Sequence, residues 1–160
     1  MLFTPDYRLK SVLKIDTDFL EKQNLKGLIL DLDNTLTLHG IDRAENGVQE
    51  WLDLMKKSGI KLMLVSNNTY ERVLPTANRL GLDFVSNGKK PLPSGFKKAV
   101  FNMGLSKNET AVVGDQIFTD VLGGKLSGIR TILVEPFEIE REGFLAFKRK
   151  IQIKLLGELK

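Results

Sequence analysis

The stretch Leu28-Ile29-Leu30-Asp31-Leu32-Asp33-Asn34-Thr35-Leu36 decides the fold predicted for this chain. It starts as a short apolar run, which is typical of a buried strand, and continues into two aspartates separated by one residue. In an extended segment, residues i and i+2 point to the same side, so Asp31 and Asp33 are expected to face one substrate. In open α/β sheets, ligands bind beyond the carboxyl ends of strands, which predicts a site here.

Four other short apolar runs repeat this pattern, and amphipathic stretches lie between them. Together with Gly27–Leu30, the predicted strands are residues 60–65, 83–85, 110–113 and 130–134. The predicted helices are residues 44–58, 70–80, about 94–103 and 117–127. Strands that alternate with helices predict an α/β fold, in which a parallel sheet is covered by helices on both faces. The length of 160 residues fits a single domain over residues 1–160.

The composition excludes several classes of protein. Cysteine is absent, which excludes thiolate metal sites, disulfide frameworks and cysteine nucleophiles. No apolar run approaches the roughly 20 residues that span a bilayer. The N-terminus has no apolar signal region. We therefore expect a cytoplasmic protein.

Polar residues follow the other predicted strands and are expected at the same edge of the sheet. Ser66-Asn67-Asn68 follows the second strand, Lys90 the third and Asp115 the fourth. Carboxylates gathered at one edge repel one another unless a cation offsets their charge, and an all-oxygen ligand set suits Mg²⁺ or Ca²⁺ rather than zinc. A lysine and a serine suit a phosphoryl group. One carboxylate could attack phosphorus while a second transfers protons.

These motifs in this order resemble those of haloacid dehalogenase (HAD) superfamily phosphatases. The first motif of that family is an apolar strand followed by D-x-D-x-T, here residues 31–35, and the second is a strand that ends in serine or threonine, here Ser66. The third is a lysine, often before proline, here Lys90. The fourth is an acidic pair, here Asp115 and Asp120 in a G-D-x-x-x-x-D spacing. The resemblance implies a HAD-like Rossmannoid three-layer fold.

A narrower resemblance covers nearly the whole chain. The runs LILDLDNTL, SNNTYERV, KKP and VVGDQIFTDVLGGKLSG are similar to those of the small YqeG-like HAD phosphatases of subfamily IIIA. That group includes phosphatidylglycerophosphate phosphatases of the mitochondrial type. The resemblance therefore implies a Mg²⁺-dependent phosphomonoester hydrolase and favours phosphatidylglycerophosphate, or a related lipid phosphate, as substrate.

The resemblance also implies a role for each matching residue. Asp31 is the expected nucleophile, which forms an aspartyl-phosphate, and is also a Mg²⁺ ligand. Asp33 is the expected general acid and base, and its backbone carbonyl helps to hold the metal. Asp115 is the expected direct metal ligand of the fourth motif. Ser66 is expected to bind the phosphoryl oxygens, and Lys90 to neutralise charge on the nucleophile and the phosphoryl group.

The sequence allows two roles for each of four polar residues near these motifs. Asn67 and Asn68 either bind substrate or only form a turn and helix cap. Asp120 either fixes water or Lys90 beside the metal ligands or only adds acidic charge at the start of a helix. His39, the only histidine, either contacts substrate or is a surface residue of the loop after the first motif.

Neither gap between the early motifs is long enough to hold a cap domain, so we expect none. Residues 36–60 hold one predicted helix and a loop, and residues 66–90 hold one helix and one short strand. An uncapped site suits a large substrate or a phosphate displayed on a surface. It argues against a mutase, which must shield its intermediate from water.

The end of the chain carries its positive charge. The formal net charge is +4, and residues 147–160 hold five basic residues against one acidic residue. A basic amphipathic helix over about residues 143–159 would carry one apolar stripe, made of Phe144, Phe147, Ile151, Leu155 and Leu159. This helix either packs on the domain or lies on the inner face of an anionic membrane. Nucleic acid is a disfavoured partner because the tail has no recognised nucleic-acid motif.

Two other functions fit the same residues. One is a phosphatase for a soluble sugar or nucleotide phosphate. The other is a receiver-like or non-catalytic phosphoryl-binding module, because receivers also pair a phosphorylatable aspartate with a hydroxyl and a lysine on a parallel sheet. Asp33 favours turnover over a lasting phospho-aspartate. The family's dehalogenases lack this second acid, so Asp33 also favours a phosphatase over a dehalogenase.

Overall fold

A six-stranded parallel sheet forms the centre of the computed structural model, which describes residues 1–139 and 141–158. The strands are β1 (Tyr7–Leu9), β2 (Gly27–Leu30), β3 (Lys61–Val65), β4 (Asp83–Val85), β5 (Thr110–Gly114) and β6 (Arg130–Val134). Their order across the sheet is β1-β6-β5-β2-β3-β4, and every neighbouring pair is parallel. The chain moves outward in opposite directions from β2 and β5, so the crevice between these two strands is the expected ligand position.

The helices are α1 (Thr17–Lys22), α2 (Val48–Lys57), α3 (Tyr70–Leu80), α4 (Pro93–Met103), α5 (Leu122–Ser127) and α6 (Gly143–Glu158). The predicted parallel α/β fold is confirmed. Helix α3 has the predicted bounds, whereas α2 begins four residues after the predicted start because Gly47, in the left-handed region, precedes it. The edge strand β1 was not predicted. It is too short to show a period, and it exists by pairing with β6.

Alternating side chains of the strands pack on opposite faces of the sheet. Leu28 and Leu30 join one core with α1, α2 and α3, whereas Ile29 joins a second core with α4. This alternation gives three layers, because strands buried on both faces need helices on both sides. Trp51, expected in the core, is buried there and donates its indole N–H to the carbonyl of Ile15 at 2.8 Å.

Helix α6 presents a different face to the domain from the one expected of a docked helix. Phe144 and Phe147, members of the predicted stripe, are 73% and 58% exposed. Arg149 and Gln152 are buried instead, because both find hydrogen-bond partners beyond the end of β5. Helix α6 is therefore docked on the domain, as one of the two alternatives expected, but Phe144 and Phe147 of the predicted stripe point outward and Leu155 is only half-buried. Leu159 lies outside the described residues.

Within residues 1–139 and 141–158, none of the helices has both the length and the apolar composition needed to cross a lipid bilayer.

Candidate active site

The two aspartates of the first motif extend β2 beyond its last paired residue. The amide of Asp31 donates to the carbonyl of Val113 at 2.9 Å, so the chain is still held beside β5. Leu32 is buried in the core, whereas the Asp31 and Asp33 side chains are 12% and 25% exposed. Asn34 then turns the chain with a φ of 59°, a conformation that asparagine tolerates better than most residues. The spacing therefore directs both carboxylates away from the core.

Lys90 joins two carboxylates from different strand ends. Its Nζ lies 2.7 Å from Oδ1 of Asp31 and 2.8 Å from Oδ1 of Asp120, and its side chain is 4% exposed. Burial alone would lower the pKa of this amine, but the charges of Asp120 and Asp31 outweigh that effect and raise it. Lys90 is therefore charged throughout the physiological range.

The loop that carries Lys90 is held by the segment after β3. The side chain of Asn67 accepts from the Lys90 amide at 2.7 Å and donates to the Lys90 carbonyl at 3.2 Å. Gly95, in the first turn of α4, lies so close to Gly88 that an added Cβ would meet its backbone carbonyl oxygen at 2.7 Å. This contact explains why position 95 is a glycine. Asn67 thus positions Lys90, and its contact with substrate stays a prediction.

Asp115 and Asp120 follow β5 and are both buried. A π-helical turn, Ile117–Val121, replaces the start of the single helix predicted over residues 117–127. Within this turn the Asp120 carboxylate accepts from the Gln116 amide at 3.2 Å and reaches back toward Lys90. A Cβ on Gly114 would overlap that carboxylate, so glycine is needed before Asp115.

One carboxylate oxygen from each of Asp31, Asp115 and Asp120 lies within 4.8 Å of the others, and we call these three residues the acidic cluster. Burial raises the pKa of Asp115 well above its usual range, and the charges of Asp31 and Asp120 raise it further. Burial and Asp31 likewise raise the pKa of Asp120 to about 6, even though Lys90 opposes the shift. Negative charge in the cluster is therefore only partly compensated.

The acidic cluster fits a hard divalent cation. It offers only oxygen atoms, which Mg²⁺ prefers, and no nitrogen or sulfur atom that would select zinc. Asp33 does not contribute its side chain to the cluster, so the metal contact predicted for it rests on its backbone carbonyl and stays a prediction. Asp120 contacts Lys90, as one of the two sequence interpretations anticipated.

Mg²⁺ is expected to stabilise the purified protein more at about pH 7 than at about pH 5. The folded-state pKa of Asp120 is raised to about 6, and that of Asp115 is raised well above its usual range. Without a cation the folded state therefore binds more protons than the unfolded state, and stability falls as pH rises through these folded-state values. Mg²⁺ needs ionised carboxylates and offsets this loss, by about 3 kcal/mol at about 100 times its Kd. Thermal melts with Mg²⁺ or chelator, at matched ionic strength, measure the effect. A stabilisation equal at both pH values would contradict it.

Ser66, Asn68 and His39 border the same edge of the sheet. Ser66 directly follows β3, is buried, and its Oγ accepts from the Asn68 amide at 3.1 Å. The Asn68 side chain lies 3.4 Å from Oδ2 of Asp33. His39 Nδ1 lies 3.7 Å from the same oxygen, and its side chain is 59% exposed. These contacts place Asn68 and His39 beside Asp33. The roles of Ser66, Asn68 and His39 toward substrate stay predictions.

Sequence reasoning missed Arg149 as a residue of this site. Its guanidinium contacts both the carboxylate and the main-chain carbonyl of Asp115, although the two residues are 34 positions apart. In the sequence it is one of several bases in the tail, beside Lys148 and Lys150. No local pattern distinguishes it, because only the docking of α6 shows which base points inward.

The chain matches a known family across its central part. Residues 38–128 match the haloacid dehalogenase-like hydrolases. The probable phosphatase YqeG of Bacillus subtilis is 41% identical, and the alignment covers 99% of this chain and 92% of that protein. Phosphatidylglycerophosphate phosphatase 1 (chloroplastic/mitochondrial) of Arabidopsis thaliana is 27% identical over 95% of this chain, which spans only 47% of that protein.

The fold is also found in solved structures. A 4-nitrophenylphosphatase from Thermotoga maritima aligns with a TM-score of 0.63, over 74% of this chain and 88% of that chain. The two sequences are 16% identical, so this likeness concerns the fold alone.

Proposed function

The chain belongs to the haloacid dehalogenase-like hydrolases and is a phosphatase of that family, and on this basis we propose that it hydrolyses phosphomonoesters through an aspartyl-phosphate on Asp31. The observation that carries the proposal is the contact of Lys90 with both Asp31 and Asp120 inside the acidic cluster. A fixed cation beside a partly exposed carboxylate suits a nucleophile that must approach an anionic phosphoryl group.

The proposed reaction has two halves that share the same two carboxyl groups. An oxygen of Asp31 attacks phosphorus, the bond from phosphorus to the ester oxygen breaks, and the acid form of Asp33 protonates the departing alcohol. Asp33 then takes a proton from water, whose oxygen attacks phosphorus and breaks the bond to Asp31. Inorganic phosphate leaves, and both groups return to their starting states.

The surroundings of Asp33 support this division of labour. Its side chain is more exposed than that of Asp31, so it can exchange protons with water and reach a departing oxygen. The amide of Gly40 lies 3.3 Å from Oδ1, and Asn68 and His39 lie near Oδ2, which together hold the carboxyl group in place. A second acid beside the nucleophile favours turnover over the lasting phospho-aspartate of a receiver module.

We propose that the acidic cluster holds Mg²⁺ through Asp31 and Asp115, with the backbone carbonyl of Asp33 as a further ligand. When bound, the ion would offset the negative charge of the phosphoryl oxygens. Ser66 would donate to one of those oxygens, and Lys90 would neutralise charge on the nucleophile and on the phosphoryl group. Asp120 would hold Lys90 toward Asp31 through their 2.8 Å contact.

We further propose a lipid phosphate, with phosphatidylglycerophosphate first, as the substrate. The Arabidopsis relative carries that activity in its name, although it is distant and much longer than this chain. The outward face of α6 supplies the second argument. Phe144, Phe147 and Ile151 are exposed there, and Nζ of Lys148 lies 5.4 Å from the centre of the Phe144 ring.

Exposed apolar side chains flanked by lysines are the pattern of a helix lying on an anionic membrane surface. Lys150 and Lys154 are exposed on this helix as well. The same surface could therefore bury apolar side chains at the boundary between lipid headgroups and acyl chains, and place positive charge beside the anionic headgroups. We propose that the protein is cytoplasmic and binds the inner face of an anionic membrane peripherally through α6.

Phosphate release from lipid and soluble esters tests the substrate proposal. With Mg²⁺, the full chain is expected to hydrolyse phosphatidylglycerophosphate in anionic vesicles at least about tenfold more efficiently, in kcat/KM, than sugar or nucleotide monophosphates. Chelation of Mg²⁺ is expected to stop release from every substrate. Equal or greater efficiency on a soluble ester would contradict the lipid proposal and make that ester the proposed substrate. The proposed reaction mechanism would not be affected.

A matched pair of α6 variants tests the membrane contact. Lys150→Glu combined with Lys154→Glu is expected to lower hydrolysis at subsaturating vesicle concentration by at least about tenfold, because each base near an anionic surface contributes about 1 kcal/mol to binding. Release from a soluble ester should not change, since these side chains are exposed. Lys97→Glu with Lys98→Glu, on the exposed surface of α4, is the control. An equal loss in both pairs would show a general charge effect instead of contact through α6.

A further inference from the structure

Two polar side chains of α6 point into the domain and meet Asp115. The guanidinium of Arg149 donates to the Asp115 main-chain carbonyl at 2.6 Å and also donates to Oδ2 of its carboxylate. Gln152 donates to the same carbonyl at 2.7 Å, and its Oε1 accepts from the Ile117 amide at 2.8 Å. The Arg149 side chain is 4% exposed and that of Asp115 fully buried. One turn of α6 thus holds the loop that follows β5.

The contact with Arg149 leaves the second carboxylate oxygen of Asp115 on the side of the nucleophile. Thr35 Oγ1 lies 3.4 Å from Oδ1 of Asp115 and 3.4 Å from Oδ2 of Asp31. Oδ1 therefore faces Asp31, whereas Oδ2 faces α6. A planar guanidinium that holds one carboxylate oxygen and the adjacent carbonyl also fixes the rotation of the carboxylate, which the point charge of a lysine would not do.

We propose that Arg149 is a positioning residue for the cation site: it fixes Asp115 with Oδ1 turned toward Asp31, so that cation affinity depends on the contact between Arg149 and Asp115. The inference rests on the proposed function, because it takes the acidic cluster as the site of a divalent cation. Residues that hydrogen-bond to a metal ligand and fix its orientation commonly contribute to metal binding, and their removal lowers metal affinity about 10- to 100-fold.

Lys90 and Arg149 together do not fully offset the negative charge of the acidic cluster. When all three carboxylates of Asp31, Asp115 and Asp120 are ionised, they meet two positive groups, of Lys90 and Arg149, so one net negative charge remains among these five groups. Arg149 contacts Oδ2 of Asp115, whereas Oδ1 of Asp115 shares the hydroxyl of Thr35 with Asp31. The contact with Arg149 therefore involves the carboxylate oxygen other than the one beside Thr35.

Apolar packing gives α6 a second attachment that does not involve Asp115. Leu156 packs against Ile117, Val121 and Leu133. This separation of contacts provides the control, because Leu156→Ala weakens the docking of α6 while leaving both polar partners of Asp115 in place.

Cation binding by the full-length chain tests the inference without any substrate. Calorimetric titration with Mg²⁺ and electron paramagnetic resonance with Mn²⁺ are compared across Arg149→Ala, Arg149→Lys and Leu156→Ala. Arg149→Ala is expected to weaken binding of both ions about 10- to 100-fold and to alter the Mn²⁺ spectrum. Arg149→Lys should recover part of the affinity, and added guanidinium ion should recover part of it in Arg149→Ala.

Three results would overturn the inference. Unchanged or tighter binding by a folded Arg149→Ala protein would show that Arg149 is only a counter-ion of the cluster. A similar loss in Leu156→Ala would assign the effect to helix docking in general. Absence of binding by the unaltered chain would remove the cation site of the proposed function and this inference with it, whereas the first two results leave the proposed function intact.

Discussion

Replacing Asp31 with asparagine is expected to reduce Mg²⁺-dependent phosphate release by at least about 1000-fold, because loss of a covalent nucleophile removes the reaction path itself. Asparagine keeps the size of the side chain but cannot form the acyl-phosphate. Release of phosphate by the purified chain measures the effect. Brief incubation with labelled substrate followed by acid quenching should yield labelled protein only when Asp31 is present.

The stability of the same variant separates catalysis from folding. The charge of Asp31 raises the pKa values of Asp115 and Asp120, so its removal relieves repulsion inside a buried cluster. Without Mg²⁺, Asp31→Asn is therefore expected to melt no lower than the unaltered protein. Asp53→Asn, at an exposed position of α2, serves as the matched control and should keep full activity. Substantial turnover by Asp31→Asn would remove the aspartyl-phosphate proposal.

Replacing Lys90 with methionine is expected to damage both activity and folding. Its ammonium contacts two carboxylates at 2.7 and 2.8 Å in a buried position, and its loss leaves those charges facing one another. Removal of one partner from a buried ion pair costs about 3–5 kcal/mol. Activity should fall at least about 100-fold, because a fixed positive group beside the phosphoryl position is lost.

The pH dependence of this loss identifies its cause. Lys90 holds down the pKa of Asp120, so without it the folded-state pKa of Asp120 should rise further. The destabilisation should then grow as pH rises through that value and shrink in acid, where the carboxylate is protonated. Urea unfolding at several pH values measures it. Lys89→Met, at the exposed neighbouring position, is the control and should be near neutral. Adding Asp120→Asn to Lys90→Met should restore part of the stability, and a strictly additive pair would contradict the proposed coupling.

The sequence determined most of the fold because the relevant signals are local. Buried strands appear as short apolar runs, and the glycines after α3 and α4 accept the left-handed conformation that ends those helices. The α/β topology then places residues that follow different strands at one edge of the sheet. For this reason Asp31, Lys90 and Asp115 could be predicted to lie together, although 84 positions separate the first from the last.

The position of Asp120 could be predicted only in outline. Its spacing from Asp115 marked it as part of the fourth motif. The sequence predicted a regular helix over residues 117–127, however, and the structure has a π-helical turn at the start of that range. That turn directs the carboxylate toward Lys90 and is coupled to the absence of a Cβ at Gly114. A sequence pattern reports helical periodicity, whereas a single wider turn depends on the contacts of its side chains.

The tail shows where sequence alone was insufficient. The sequence by itself predicted that residues near the C-terminus form a basic helix with an apolar stripe, and it left open whether this helix packs on the domain or lies on a membrane. Only the tertiary structure decided that Phe144 and Phe147 of the stripe point outward while Arg149 and Gln152 turn toward Asp115. The physical reason is that sequence periodicity distinguishes the faces of a helix only by hydrophobicity. The buried carboxylate and backbone carbonyl of Asp115, beyond the end of β5, need hydrogen-bond donors, so the face that carries Arg149 and Gln152 packs against them.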